Sequence, residues 1–268
     1  MANFHSDEQI MKRVKEHYEK AKELVKKDNI IGVFYYGSGN YGMDGATSDV
    51  DTKCLIVPSF EEIALNKKAV NYEYHFDNGE HMKMVDIREY LRLVKQQNPN
   101  DLEVLFTDFA MCNTRYGGIW HYLWSHREEI AHYRPHRAMD TMRHMANREM
   151  HNMEKRGFNT KSLALIFRLE KMAGDYLLCN KYEYVLHSDQ ADFLKRVKYG
   201  EFVAPDDSET GMRLMRNSIE SINRLTDRFL EKTEDRPNEK VEKLLEKVAR
   251  DFIAKSVGHE IREWESKR

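Results

Sequence analysis

The sequence predicts an α+β protein, with a mixed β-sheet carrying helices on one face in residues 1–115 and an all-α part in residues 116–268. Three observations carry this reading. Runs rich in β-branched and aromatic residues occur before about residue 115 and nearly vanish after it. Gly32, Gly37, Gly39, Gly42 and Gly45 crowd into fourteen residues, so the backbone there must turn sharply or approach something closely. From Tyr116 onward, apolar residues recur at helical spacing.

The elements follow in order. Ser6 to Asn29 reads as an amphipathic helix, with Ser6 and Gln9 at capping-box spacing and Ile10, Val14, Tyr18, Ala21 and Val25 as its apolar stripe. Ile30 to Tyr36 reads as a buried strand, and Val50 to Val57 as a second, ended by Pro58. Ser59 caps a short helix. Val70 to Phe76 and Glu80 to Ile87 flank Asp77-Asn78-Gly79, a strong hairpin signal. Helices are predicted over Ile87 to Gln97 and Pro99 to Thr107, leading into Asp108 to Cys112. Further helices fall near 117–131, 136–156, 160–180, 188–198, 208–234 and 238–266, with a loop from Tyr199 to Glu209 and a domain boundary near Asn113 to Gly118.

Composition narrows the function classes. Hydrophobic residues are 41% and charged residues 33%, as expected of a soluble globular chain. No apolar run is long enough for a membrane span, and Met1 to Ser6 has no secretion-signal pattern, so a cytoplasmic protein is expected. The net charge of −2 does not demand a large nucleic-acid footprint, though a local basic groove remains open. Cys54, Cys112 and Cys179 are far apart and odd in number, which speaks against a zinc site or a disulfide framework. They are expected to be buried, inert thiols.

The chemistry concentrates in Tyr36 to Asp51. A strand ending in Gly37-Ser38 and opening into a glycine-rich loop can aim backbone N–H groups and a hydroxyl at one phosphate. Ten residues later, Asp49 and Asp51 alternate along a strand, so both carboxylates face one side, about 6.5–7 Å apart at Cα. Side by side they repel, and a divalent cation relieves that cost. Val50, Thr52, Cys54 and Ile56 then suit a face packed under helices. If the strand ending in Asp86 lies beside Val50 to Val57, Asp86 can supply a third carboxylate, and three can hold two metals. A cap on the helix that follows is the plainer role for Asp86, and the two roles need not exclude each other.

Tyr36-Gly37-Ser38, the ten-residue spacer, Asp49-Val50-Asp51 and Asp86 together resemble the DNA polymerase β-like nucleotidyltransferases, over about residues 30–90. Thr52 departs from the apolar residue usual at its position. A narrower resemblance is to a bacterial and phage branch, through Gly37-Ser38-Gly39-Asn40-Tyr41-Gly42, Ser48-Asp49-Val50-Asp51, Asn98-Pro99 with Glu103-Val104-Leu105, and Lys161 with Arg168. The resemblance implies transfer of a nucleoside monophosphate from an NTP to an acceptor hydroxyl, with release of pyrophosphate. Asp49, Asp51 and Asp86 would be catalytic and hold Mg²⁺ or Mn²⁺. Gly37, Ser38, Tyr41, Ser48, Lys161 and Arg168 would bind the nucleotide.

The acceptor implied first is an RNA 3′ end, particularly tRNA, with Arg134, Arg137, Arg143, Arg148, Lys155 and Arg156 as a basic face. A small molecule or a protein hydroxyl is the alternative. A non-catalytic nucleotide-binding or toxin-neutralising module is a reading of another class. Plainer roles compete at several positions. Lys161 and Arg168 suit a solvated or salt-bridged helix face, and Tyr41 suits packing as well as base stacking. Arg127 and His132 have a spacing found in helical RNases, but it is a common chance pattern. His121, His126, His132 and His136 lack the spacing of a metal site.

Overall fold

The computed structural model describes residues 5–45, 48–187 and 189–266. Met1 to Phe4 of the segment expected to carry no secretion signal, Ala46 and Thr47 of the glycine loop, Ser188 at the predicted start of helix 188–198, and the last two residues lie outside the described residues.

Helix α1 (Asp7–Leu24) starts at the predicted capping box. The Ser6 hydroxyl accepts from the Gln9 N–H and the Gln9 side chain accepts from the Ser6 N–H. Strands β1 (Ile30–Tyr35) and β2 (Thr52–Ile56) are antiparallel neighbours. A second capping box, Ser59 with Glu62, opens α2 (Phe60–Ala64). The hairpin β3 (Asn71–His75) and β4 (His81–Asp86) turns through Gly79, whose φ of +91° favours glycine. Then come α3 (Ile87–Lys95), the single turn α4 (Pro99–Leu102) and the edge strand β5 (Ala110–Cys112). The sheet order is β3-β4-β2-β1-β5, and β2 with β4 is its one parallel pair.

The sheet is covered on both faces, not on one. Ile30, Val33, Tyr35, Val50, Cys54, Ile56, Met82 and Met84 pack beneath Ile10, Val14, Tyr18 and Ala21 of α1. The opposite face, with Ile31, Phe34, Leu55 and Val85, meets α3 and the helices that follow. Strands β1 and β2 are buried throughout, and such strands need apolar cover on each side.

The rest of the described chain is helical: α5 (Gly117–Ser125), α6 (Arg127–Ala131), α7 (Pro135–Arg156), α8 (Thr160–Leu178), α9 (Tyr182–Leu186), α10 (Ala191–Lys198), α11 (Ser208–Lys232) and α12 (Glu239–Ser266). The predicted helix 117–131 breaks at His126, and α9 was not anticipated. The larger core runs from Ile31 and Phe34 of the sheet to Phe252 of α12 without interruption. Cys54 is buried and Cys179 half-buried, but Cys112 is exposed because β5 is an edge strand. Among the described residues, no helix is long and apolar enough to cross a membrane.

One polar network sits under the start of β2. His17, fully buried in α1, bonds Thr52 Oγ1 at 2.7 Å and Glu80 at 3.1 Å, and Arg13 Nε donates to Glu80 at 2.9 Å. Burial pushes the Glu80 carboxyl up, but hydrogen bonds from His17, Arg13 and Asn78 outweigh it and bring it down to about 2. A carboxylate depressed in the folded state stabilises above its unfolded value, and that stabilisation is lost as pH falls through the folded value. Thermal melts should therefore show a steep loss of stability between about pH 4.5 and 2. Glu80→Gln should flatten that acid limb; an unchanged limb would disprove this assignment.

Candidate active site

The glycine loop leaves β1 at Tyr36 and makes one tight turn at Ser38–Tyr41. Gly37 opens it at a φ of +95°, which a side chain would strain. Gly39 allows close approach, since a Cβ there would lie 1.6 Å from the Tyr35 hydroxyl. The turn is clamped from below by Glu103, a fully buried carboxylate just after α4. It accepts from the Gly37 N–H at 3.0 Å and from Asn40 Nδ2 at 3.4 Å. Burial raises the Glu103 carboxyl, while Arg168, Tyr41 and Lys53 work against that. Asn98 caps α4 and Pro99 begins it, so the Asn98-Pro99…Glu103 segment serves as the floor of the loop.

A second clamp fixes the start of β2. Lys53 is 1% exposed, yet its ammonium reaches Asp101 Oδ1 and the Asn100 carbonyl, each at 2.7 Å. The start of β2, just after Asp51, is thereby pinned to the turn carrying Glu103.

Above these clamps is an open cleft of about 370 Å³, in the range of small-ligand sites. Its walls include Gly37, Ser38, Tyr41, Ser48, Asp49, Asp51, Lys161 and Arg168. Eight of the nine predicted site residues thus share one cavity, brought together from the loop, the approach to β2, and α8. Arg168 is buried, with its guanidinium 3.4 Å from the centroid of the Tyr41 ring. This departs from the solvated helix face that competed for it. It also corrects the idea of Tyr41 as a base platform, because the Tyr41 ring is 5% exposed and bears Arg168. The Tyr41 hydroxyl, Glu103 Oε1 and Arg168 Nε are buried with no hydrogen-bond partner among the described residues. Lys161 is exposed at the cleft wall.

Asp86 is elsewhere. The pairing of β2 with β4 is parallel and aligns Ile56 with Asp86, so the residue beside Asp51 is His81. Asp86 lies five residues further along, about 16 Å at strand rise. It also shares the face of Met82 and Met84, opposite to Asp51. Its carboxylate caps α3 through the Arg88 N–H at 2.8 Å and pairs with the Arg88 guanidinium at 2.6 Å. The competing helix-cap role is the one it fills.

Asp51 is half-buried. Burial pushes its carboxyl up, a shift opposed by His81 and reinforced by the charges of Asp49 and Glu73. No lysine or arginine pairs with Asp49 or Asp51 among the described residues. Two acids on an open cleft, one of them destabilised in its ionised form, make a donor set that fits a divalent cation. A separate cluster, Asp28, His259 and Glu263, is largely exposed, and Asp28 already faces Arg115 at 3.4 Å.

One residue of the cleft escaped the sequence reading. Lys198, at the end of α10, sends its ammonium into the glycine loop, 3.1 Å from Ser38 Oγ, 3.1 Å from the Met43 carbonyl and 3.2 Å from Ser48 Oγ. The next residue, Tyr199, bonds Ser48 Oγ at 3.0 Å. A lysine among phosphate-loop hydroxyls places a positive charge where a triphosphate would lie. By contrast, the predicted basic face of α7 is partly spent. Arg143 pairs with Asp140 and Asp227, and Arg137 bonds Gln96.

Comparison with protein families matches residues 7–188 to RlaP, described as the RNA repair pathway DNA polymerase beta family. The match spans the sheet, the glycine loop, both cleft acids and α8, and it ends before Lys198. Comparison with curated proteins returned no match.

Proposed function

Because the chain belongs to the RNA repair pathway DNA polymerase beta family, a group of polymerase β-like nucleotidyltransferases, we propose that it transfers a nucleoside monophosphate from an NTP to the 3′ hydroxyl of an RNA. The observation that carries this reading is the cleft. It sets Lys198 of α10 and Ser38 of the loop in one cavity with Asp49 and Asp51, which no lysine or arginine pairs with among the described residues. Ser38, Ser48 and Lys198 would hold the β- and γ-phosphates, and Arg168, bedded on Tyr41, would bring a second fixed charge. Asp49 and Asp51 would hold Mg²⁺ or Mn²⁺. A bound divalent ion supplies charge neutralisation at the reacting phosphate and lowers the pKa of the acceptor hydroxyl.

The acceptor oxygen forms its bond to the α-phosphorus as the bond to the β-phosphate oxygen breaks. Pyrophosphate leaves, and the hydroxyl proton passes to one of the paired carboxylates. Glu103 and Lys53 would act as positioning residues, holding the loop and the acid-bearing segment in register. RNA as acceptor rests on the family description. A nucleotide-binding module without transfer is favoured by one observation, the absence of Asp86 from the cleft.

Incubation with α-labelled NTPs, a divalent ion and RNA bearing a free 3′ hydroxyl decides between the two. Label in RNA, weakening with salt as phosphate contacts require, supports transfer. Nucleotide binding with no transfer to RNA supports the binding module. Label on a small acceptor or on protein would overturn the RNA assignment. In the same assay Lys198→Met removes charge-assisted hydrogen bonds worth roughly 1.5–3 kcal/mol, or roughly 10- to 100-fold in nucleotide Kd. Unaltered affinity for a non-hydrolysable NTP would remove Lys198 from the phosphate site.

A further inference from the structure

We infer that an aromatic shelf on α8, α10 and the loop after α10 binds the unpaired 3′ end of the RNA acceptor beside the cleft. The inference rests on the transfer to RNA proposed above and names the surface that would hold that RNA. Three rings build the shelf. Phe167 of α8 and Phe193 of α10 stack at 6.0 Å, with 12° between their planes. Phe202, in the loop after α10, stands edge-on to both, 5.1 Å from Phe193 and 6.3 Å from Phe167.

Burial separates this cluster from ordinary core. The loop sends the neighbouring Val203 into the core and leaves Phe202 47% exposed. Phe167 and Phe193 are half-buried. One exposed ring is common on a protein surface, whereas three in mutual contact make a platform. The platform adjoins the cleft. Ala164 lines the cleft and lies one turn before Phe167 on the same side of α8. Tyr199, three residues before Phe202, lines the cleft as well and is 38% exposed. The Thr160 hydroxyl donates to the Lys198 carbonyl at 2.8 Å, which ties the start of α8 to the end of α10.

Charge selects the occupant. The last turn of α10 carries Lys195, Arg196 and Lys198, and Lys161 stands on the cleft wall. Lys161 and Lys195 pair with no carboxylate among the described residues, and Arg196 shares its charge with Glu201 at 3.4 Å. An apolar peptide would be served by the rings alone. Rings bordered by cations match a chain whose bases stack and whose backbone is anionic. Bases held in a duplex stack on one another and cannot lie on the rings, so the shelf fits an unpaired end. A strand resting there would pass Lys195 and Tyr199 on its way to the acids of the cleft.

The test uses the full chain with a non-hydrolysable NTP and reads RNA binding by fluorescence anisotropy. Two labelled hairpins are compared, one with an unpaired 3′ tail and one blunt. The wild type should prefer the tailed RNA by about tenfold or more. Phe202→Ala should weaken the tailed RNA by roughly 5- to 100-fold and leave blunt RNA and NTP within about threefold, and Phe202→Trp should restore binding. Lys195→Gln should reduce the slope of log affinity against log salt by roughly 0.7, one phosphate contact on a single strand. Equal binding of the two hairpins, or a Phe202→Ala protein that keeps the preference, would overturn the shelf. A Phe202→Ala protein that loses NTP affinity in step would assign the ring to the fold and overturn it too. In either case label still passing to RNA leaves the transferase reading intact. A wild type that labels a small acceptor and no RNA takes both readings down.

Discussion

Asp51→Asn is expected to reduce nucleotidyl transfer by roughly a thousandfold or more, about 4 kcal/mol of lost transition-state stabilisation, while leaving the protein as stable as before or slightly more so. The two effects have one origin. Partial burial and the neighbouring charges of Asp49 and Glu73 raise the Asp51 carboxyl, so at neutral pH its ionised form is less favourable folded than unfolded. Removing that charge relieves the folded state. Removing it also takes away the oxygen charge that would hold the cation and receive a proton.

Asp86→Asn supplies the reverse pattern. Its carboxylate caps α3 and grips Arg88, so its loss should lower the melting temperature. Transfer per folded molecule should stay within about threefold of wild type, since Asp86 stands about 16 Å along the strand from the cleft acids. Activity with labelled NTP and melting curves on the two variants check both halves. An Asp86→Asn protein that melts normally but has lost transfer would return Asp86 to the chemistry.

What the sequence made legible, and what it hid, divides by the range of the interactions. The capping boxes at Ser6 and Ser59 and the Asn78-Gly79 turn depend on neighbours within a few positions. Each was readable because local sterics and hydrogen bonding determine it. Glycine spacing marked the loop for the same reason. Asp86 was misplaced because strand pairing is a tertiary fact. Whether β4 runs parallel or antiparallel to β2 decides which end meets Asp51, and parity then decides which face.

The strand holding His81 was legible, but only the register makes that residue a neighbour of Asp51. Lys198 was harder still. It lies 160 residues from Ser38 on a helix rich in charge, where a lysine reads as surface. Glu103 lay in a segment singled out by resemblance, yet its hold on the Gly37 N–H could be read only from coordinates.

The largest effect on stability should come from Lys53→Met. The Lys53 ammonium and the Asp101 carboxylate are each almost fully buried, 2% and 4% exposed at the side chain, with 2.7 Å between them. A buried pair gains little over well-packed apolar residues, because desolvation consumes most of the attraction. Breaking it is another matter. With methionine at 53, Asp101 keeps a buried charge without its partner, and the Asn100 carbonyl loses its donor.

A cost of about 3–5 kcal/mol is expected, a large share of the stability of an ordinary domain. The Asp101→Leu change made on top of Lys53→Met should recover much of it, since no charge is then stranded. The pair also ties β2 to the turn that delivers Glu103 to the glycine loop. The rescued double variant should therefore fold yet bind nucleotide less tightly than wild type, because the loop and the acid-bearing segment are no longer locked in register. Denaturant melts and nucleotide titrations on the two variants separate these effects. A rescued protein with wild-type affinity would show that Lys53 serves the fold alone.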